Sequence, residues 1–173
     1  ELGGSALHLA AERGQVSVIL VLLARDDFDY VNSKDWYLGS TALHVAAFAG
    51  QVDACRALLE CPRFTEGNDQ NSEGNTALHN AAKQGHSRAC ECLLSHPDFT
   101  AANVQNIHGY TALHLAALNS HLDTCKTLLR HKKFTNVHAQ SNWGTTAVGI
   151  SEGDTHLFLS ERLESSVAAF PGS

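Results

Sequence analysis

Apolar residues recur along this chain in short runs that alternate with polar stretches. "TALHLAAL" (Thr111 to Leu118) places Leu113, Ala116 and Ala117 in phase on one helical face. A threonine or serine stands before the first turn of each such run, where a side-chain oxygen caps free amides. A second kind of run follows, such as "SRACECLLS" (Ser87 to Ser95), with Ala89, Cys90, Leu93 and Leu94 at the same spacing. The pattern therefore predicts pairs of short helices. The longest apolar run, "VSVILVLLA" (Val16 to Ala24), suits a buried helix and is far shorter than the ~20 residues that cross a bilayer.

The pairs are in register. "ALH" begins at Ala6, Ala42, Ala77 and Ala112, at spacings of 36, 35 and 35 residues, and a decayed copy, "AVG", begins at Ala147. Glycines precede these boxes by three residues, at Gly3, Gly39, Gly74, Gly109 and Gly144. Phenylalanines follow by 22, at Phe28, Phe64, Phe99 and Phe134. Leucine pairs recur at Leu22-Leu23, Leu58-Leu59, Leu93-Leu94 and Leu128-Leu129. Gly14, Gly50 and Gly85 are placed to end the first helix in a left-handed conformation. The fourth unit has Ser120 there, at a cost of about 1 kcal/mol if the backbone is the same. One such unit cannot bury its apolar face alone, so the units must stack.

"GSTALHVAAFAGQVDACRALL" (Gly39 to Leu59) and its sister units resemble the ankyrin repeat, with its TPLH box, its glycine turn and its later leucines. The resemblance covers residues 3 to about 163. It implies an all-α solenoid of helix-turn-helix units with hairpin-like connections. The repeats then run 3–38, 39–73, 74–108 and 109–143, with a C-terminal cap at 144–165 and a tail at 166–173. Three departures stand out. The proline of the box is Ala6, Ala42, Ala77 or Ala112, and alanine keeps the helix. The units are 35 residues long, with the additional length around "HPDFTAAN", where Phe99 is expected to turn back onto the core. The first unit has one more residue within "SKDWYLG". The cap, "GTTAVGISEGDTHLFLSERLESS", has Val148 and Gly149 in place of the box Leu and His, and is expected to have a polar outer face. Leu7, Leu9 and Ile19 are expected to have an open flank, so another repeat or domain is expected before Glu1. Phe170 packs on the cap or belongs to a linker.

Composition excludes several classes of function. With 173 residues, 43% hydrophobic and 17% charged, the chain has ordinary globular composition. Its formal net charge of -6, with 12 Lys and Arg, leaves no general footprint for nucleic acid or an anionic membrane surface. Five cysteines without a secretory leader point to free thiols and an intracellular, cytoplasmic or nuclear location. No nucleophile elbow, phosphate loop or carboxylate pair appears, so no enzymatic activity and no cofactor are expected.

Two groups of residues raise a question of chemistry. His8, His44, His79 and His114 recur at the box position. Units about 10 Å apart are too distant to share a metal through them. The resemblance implies that each imidazole bonds the box threonine and a neighbouring backbone group. His86, Cys90, Cys92 and His96 form the second group, but at 100° per residue they divide between two helix faces. Cys55, Cys90 and Cys125 share a register position with Ile19, which marks a small core site. Cys61 and Cys92 are expected to be partly exposed, and metal or redox sensing through Cys90 and Cys92 stays as an alternative. Asn32, Asn68 and Asn103 fall at the family's hairpin asparagine. They are expected to bond a hairpin turn, and the resemblance also makes them candidate hydroxylation sites.

The resemblance places a partner-binding surface on the concave face, built from hairpin tips and first helices. Here that surface comprises Trp36, Tyr37, Leu38, Ser40, Phe48 and Ala49 in the second unit. The third offers Ser72, Glu73, Asn75, Lys83 and Gln84. The fourth offers Ile107, His108, Tyr110, Leu118 and Asn119, and the cap Asn142, Trp143 and Thr145. Exposed aromatic residues are the usual anchors of such surfaces, although packing between adjacent tips is the competing use for Trp36 and Trp143. The expectation is a monomeric, non-catalytic scaffold for a protein or peptide partner. The alternative of a different class is a regulatory module within a larger enzyme or channel.

Overall fold

The computed structural model describes residues 5–164. Gly3, at the head of the glycine series, and the tail with Phe170 lie outside the described residues. Four helix pairs follow one another: α1 (Ala6–Glu12) with α2 (Val16–Leu23), α3 (Ala42–Phe48) with α4 (Val52–Leu59), α5 (Ala77–Lys83) with α6 (Ser87–Ser95), and α7 (Ala112–Leu118) with α8 (Leu122–Arg130). A shortened pair, α9 (Ala147–Ile150) and α10 (Gly153–Glu164), ends the described chain. Among the described residues there is no strand. Nor, among the described residues, is any helix long and apolar enough to cross a membrane.

The helices stack in two layers. The first helices pack in the order α1, α3, α5, α7, α9, and the second helices in the order α2, α4, α6, α8, α10. Between the layers run rows of fully buried side chains: Leu7, Leu43, Leu78 and Leu113 from one side, and Ile19, Cys55, Cys90 and Cys125 from the other. Paired alanines such as Ala81-Ala82 and Ala116-Ala117 are buried and let neighbouring first helices approach closely. Phe64, Phe99 and Phe134 are buried in the core, while Phe28 is only half-buried. The additional length after α4, α6 and α8 thus returns an aromatic ring to the interior.

The ends of α2 and α6 are tied by a cation of the following repeat. The Arg63 guanidinium donates to the carbonyls of Leu23 at 3.3 Å, Arg25 at 2.5 Å and Phe28 at 2.8 Å. Lys133 likewise donates to His96 and Phe99 carbonyls, the latter at 3.0 Å. A helix C-terminus leaves carbonyls unpaired and carries partial negative charge, so a cation satisfies both needs.

Two expectations are corrected. Leu7 and Ile19 are fully buried, and the large apolar residues that stay open on α1 and α2 are Leu9, Val18, Leu20 and Val21. The asparagines Asn32, Asn68 and Asn103 do not bond their own hairpin turn. Each reaches about one repeat forward. Asn68 Nδ2 donates to Asp98 O at 2.8 Å, and its Oδ1 accepts from Thr100 N at 2.7 Å. Asn32 bonds Arg63 O and Thr65 N in the same way, and Asn103 bonds Lys133 O and Thr135 N. The loop returning the phenylalanine to the core brings those backbone groups within reach.

Candidate functional site

Tips between repeats form from short-range hydrogen bonds. Asn71 N donates to Asn75 O at 2.9 Å, and Asn106 N to Tyr110 O at 2.9 Å. The side chain at the base of each tip accepts amides from within it: Asn106 Oδ1 accepts from His108 N and Tyr110 N, each at 3.0 Å. Asp35 Oδ1 does the same for Tyr37 N at 3.0 Å and Leu38 N at 2.7 Å. This is the local use for which Asp and Asn are suited. The first tip closes from Asp35 N to Ser40 O, so the additional residue of the first unit lies in the tip. It gives that tip two aromatic residues in succession, Trp36 and Tyr37. Adjacent tips are joined by backbone bonds, Ser72 N to Leu38 O at 2.7 Å, Ile107 N to Glu73 O at 3.1 Å and Asn142 N to His108 O at 3.0 Å.

The histidines connect tip to helix. Thr76 N–H donates to His79 Nδ1 at 3.2 Å, and His79 Nε2 lies 2.9 Å from Tyr110 O. A ring nitrogen that accepts an amide proton carries none of its own, so Nε2–H is the donor to the carbonyl. His8 meets Ser40 O at 2.8 Å, His44 meets Asn75 O at 2.9 Å and His114 meets Thr145 O at 3.1 Å. Burial disfavours the imidazolium: it lowers the proton affinity of His44 and His114 and pushes His79 down from 6.5 to about 4. These three rings are neutral at physiological pH, with both nitrogens engaged.

The face left open by this framework divides into two clusters. Trp36, Tyr37, Leu38 and Phe48 come together with Leu9 and Val45 around an open groove of about 730 Å³, between α1, α3 and the first tip. Trp36 is 73% exposed and Tyr37 74%, with their rings edge-to-face at 6.0 Å. Farther along, Trp143 stacks on His108 at 5.8 Å and lies 5.7 Å from Tyr110. Tip-to-tip packing therefore does occupy Trp143, which still keeps 66% of its surface open. Ile107 and Leu118 are exposed, Tyr110 is half-buried, and exposed Asn119 donates to Leu115 O of its own helix at 2.8 Å. The third unit separates the clusters with polar residues: Ser72, Glu73, Lys83 and Gln84 are not buried.

Asn75 does not belong to the open face, whereas Ser40 lines the groove. Both are buried, and their carbonyls receive His8 and His44. Sequence reasoning passed over Leu9, Val45 and Asn80, which share one register position on α1, α3 and α5 and line the groove. The signal was there: Asn80 interrupts an otherwise aliphatic series. Asn80 is buried and donates to His44 O at 3.2 Å.

The cysteines show another environment. Cys55, Cys90 and Cys125 are fully buried, and burial pushes Cys55 and Cys125 up to about 12 and Cys90 higher still. Cys92 is half-buried, with Sγ 3.8 Å from Val52 O, and Cys61 is also half-buried. Among the described residues no group of three or more His, Cys, Asp or Glu is placed to hold a metal ion.

The family model for ankyrin repeats (3 copies) matches residues 1–68 and again residues 63–141. Compared with curated proteins, the chain has no match.

Proposed function

The chain belongs to the ankyrin-repeat family, and from that membership we propose that it is a non-catalytic scaffold holding a protein or peptide partner on its concave face. Ankyrin repeats are generally protein–protein interaction modules. The observation that carries the finer reading is the distribution of exposed apolar side chains. Among the described residues, seven of the twelve large exposed ones (Leu9, Trp36, Tyr37, Phe48, Ile107, Leu118 and Trp143) lie on tips or first helices. Such residues gain most by desolvation against a partner, and aromatic ones do so at small entropic cost.

The test replaces Trp36, Tyr37, Ile107 and Tyr110 with alanine together. Proteins captured by wild type and by the variant are then compared by mass spectrometry, with folding checked by circular dichroism. Loss of the wild-type set is expected. An unchanged set with the fold intact would overturn the reading.

A second reading, a regulatory part of a larger enzyme or channel, is favoured by α2. Val18, Leu20 and Val21 are exposed there, whereas Ala54, Ala89 and Thr124, in register with Val18, are buried. A further unit against α2 would cover them.

A further inference from the structure

The groove in the first half of the open face has a chemical bias that the aromatic count does not show. Its apolar walls come from Leu9, Trp36, Tyr37, Leu38, Val45 and Phe48. Its charged lining consists of Glu12 and Asp35, and no lysine or arginine lines it. Neither carboxylate takes part in the ion pairs of the described residues, which join Arg25 to Asp27, Lys34 to Asp69, Arg56 to Asp53 and Lys126 to Asp123. Lys34, beside Asp35 in sequence, is held by Asp69 at 2.6 Å. Arg13, beside Glu12, and Lys83, one turn beyond Asn80, stand outside the lining.

The groove's histidines offer no free donor. His8 and His44 spend Nε2 on the Ser40 and Asn75 carbonyls. Asn80 Nδ2 donates one hydrogen to His44 O. Among the described residues the two carboxylates thus meet no cationic partner in an apolar recess. The wider charge distribution has the same sign. Residues 1–80 hold eleven Asp and Glu against five Lys and Arg, and residues 81–173 hold seven against seven, so the entire net charge of -6 sits in the half that builds the groove. A field of that kind draws a cationic segment and repels an acidic one. The second cluster, around Ile107 and Trp143, lies in the neutral half.

We propose that this groove binds a short partner segment carrying an arginine or lysine flanked by apolar residues. Its cation meets the Glu12 and Asp35 carboxylates and the exposed Trp36–Tyr37 pair. Aromatic faces attract a cation that carboxylates then neutralise. The flanking apolar residues fill the walls contributed by Leu9, Val45 and Phe48. The proposal rests on the scaffold reading above and gives the partner a polarity: its basic end lies over the first two repeats.

Random peptides displayed on phage and selected on the intact chain supply the probe. The recovered sequences are synthesised, and their affinity is measured by fluorescence anisotropy for wild type and three double variants. Glu12→Gln/Asp35→Asn removes the charges, and the amide oxygen introduced at position 35 keeps the acceptor that the Tyr37 and Leu38 backbone amides require. Trp36→Ala/Tyr37→Ala removes the rings. Ile107→Ala/Trp143→Ala addresses the other cluster. Circular dichroism checks that each variant is folded. Expected are peptides enriched in Arg or Lys beside apolar residues. Their Kd should rise at least about tenfold in each of the first two variants and less than about threefold in the third. Peptides without a cation, or a Kd unmoved by Glu12→Gln/Asp35→Asn, overturn the proposal. Binding lost only in Ile107→Ala/Trp143→Ala overturns it while leaving the scaffold reading in place. Failure to recover any peptide, or binding indifferent to all three variants, overturns both.

Discussion

Acid should weaken this fold well before its carboxylates are protonated. In the unfolded chain His79 takes a proton near 6.5, and in the folded chain only near about 4. The cause is burial, reinforced by geometry: Nδ1 faces the Thr76 amide at 3.2 Å, so a proton there would set one donor against another. Between those two values the unfolded state binds more protons than the folded state, and stability rises with pH. In the acid direction, the contribution is whole above about pH 6.5 and is lost as pH falls toward 4. Each pH unit within that window removes roughly 1.4 kcal/mol, or about 3 kcal/mol in all, of which about 2 is gone by pH 4.5. His44 and His114 are shifted in the same direction and add to the loss. The perturbation that isolates His79 is His79→Gln, which can hydrogen-bond but does not titrate. Urea unfolding followed by circular dichroism, at about pH 7 and about pH 4.5, measures both proteins. His79→Gln is expected to be less stable near neutrality by about 1–3 kcal/mol, through imperfect replacement of buried hydrogen bonds. Its further loss on acidification should be smaller than that of wild type by about 2 kcal/mol. Equal losses in the two proteins, or a His79 ring resonance that titrates near 6.5, would refute the reasoning.

Two other predictions concern the turn after each first helix and the thiols. Ser120 has φ 57°, the only positive φ outside glycine among the described residues, so Ser120→Gly should raise stability by about 0.5–1 kcal/mol in urea unfolding. Gly85→Ala should lower it by about 3 kcal/mol, because φ is 76° and an added Cβ would lie 2.6 Å from His121 Nδ1. Thiol titration with a chromogenic disulfide near pH 8 should label Cys61 first and Cys92 more slowly. Cys55, Cys90 and Cys125 should react only after unfolding, and labelling of native Cys90 as fast as Cys61 would contradict the packing.

The turn glycines show how far a linear pattern can be read. Their spacing marks a left-handed helix end, and φ of 64°, 70° and 76° at Gly14, Gly50 and Gly85 agrees. A second reason is visible only in space. The side chain at the N-terminus of the next second helix lies over the glycine and donates to the last turn of the first helix: Gln51 to Glu12 O at 3.2 Å, His86 to Phe48 O and His121 to Lys83 O at 3.1 Å. Ser120 escapes this constraint because it is exposed and His156, the residue in register with His121, instead approaches Ser151 Oγ and Val148 O. The asparagines went astray for a related reason. Their register was legible, but their partners lie about 30 to 33 residues away, in a loop whose path depends on where the phenylalanine is buried.

The candidate face was legible in part. Trp36, Tyr37, Phe48 and Ser40 were found by removing every residue the repeat needs, but Asn75 was kept although it lies outside the groove, since burial of a polar residue in a tip leaves no mark on its identity. Leu9, Val45 and Asn80 were missed because one helix face supplies both core and groove, and the boundary between them depends on how the next pair is seated.

Periodicity by itself determined the helix pairs, their number, the need to stack and the family, because a period near 35 residues with apolar positions in phase admits one economical way of burying them. Only the tertiary structure decided which polar groups face each other across repeats, which aromatic rings are spent on one another, and where an acidic apolar groove opens. Those outcomes depend on contacts between residues about one repeat apart, and a one-dimensional pattern carries register but not the direction in which each side chain is held.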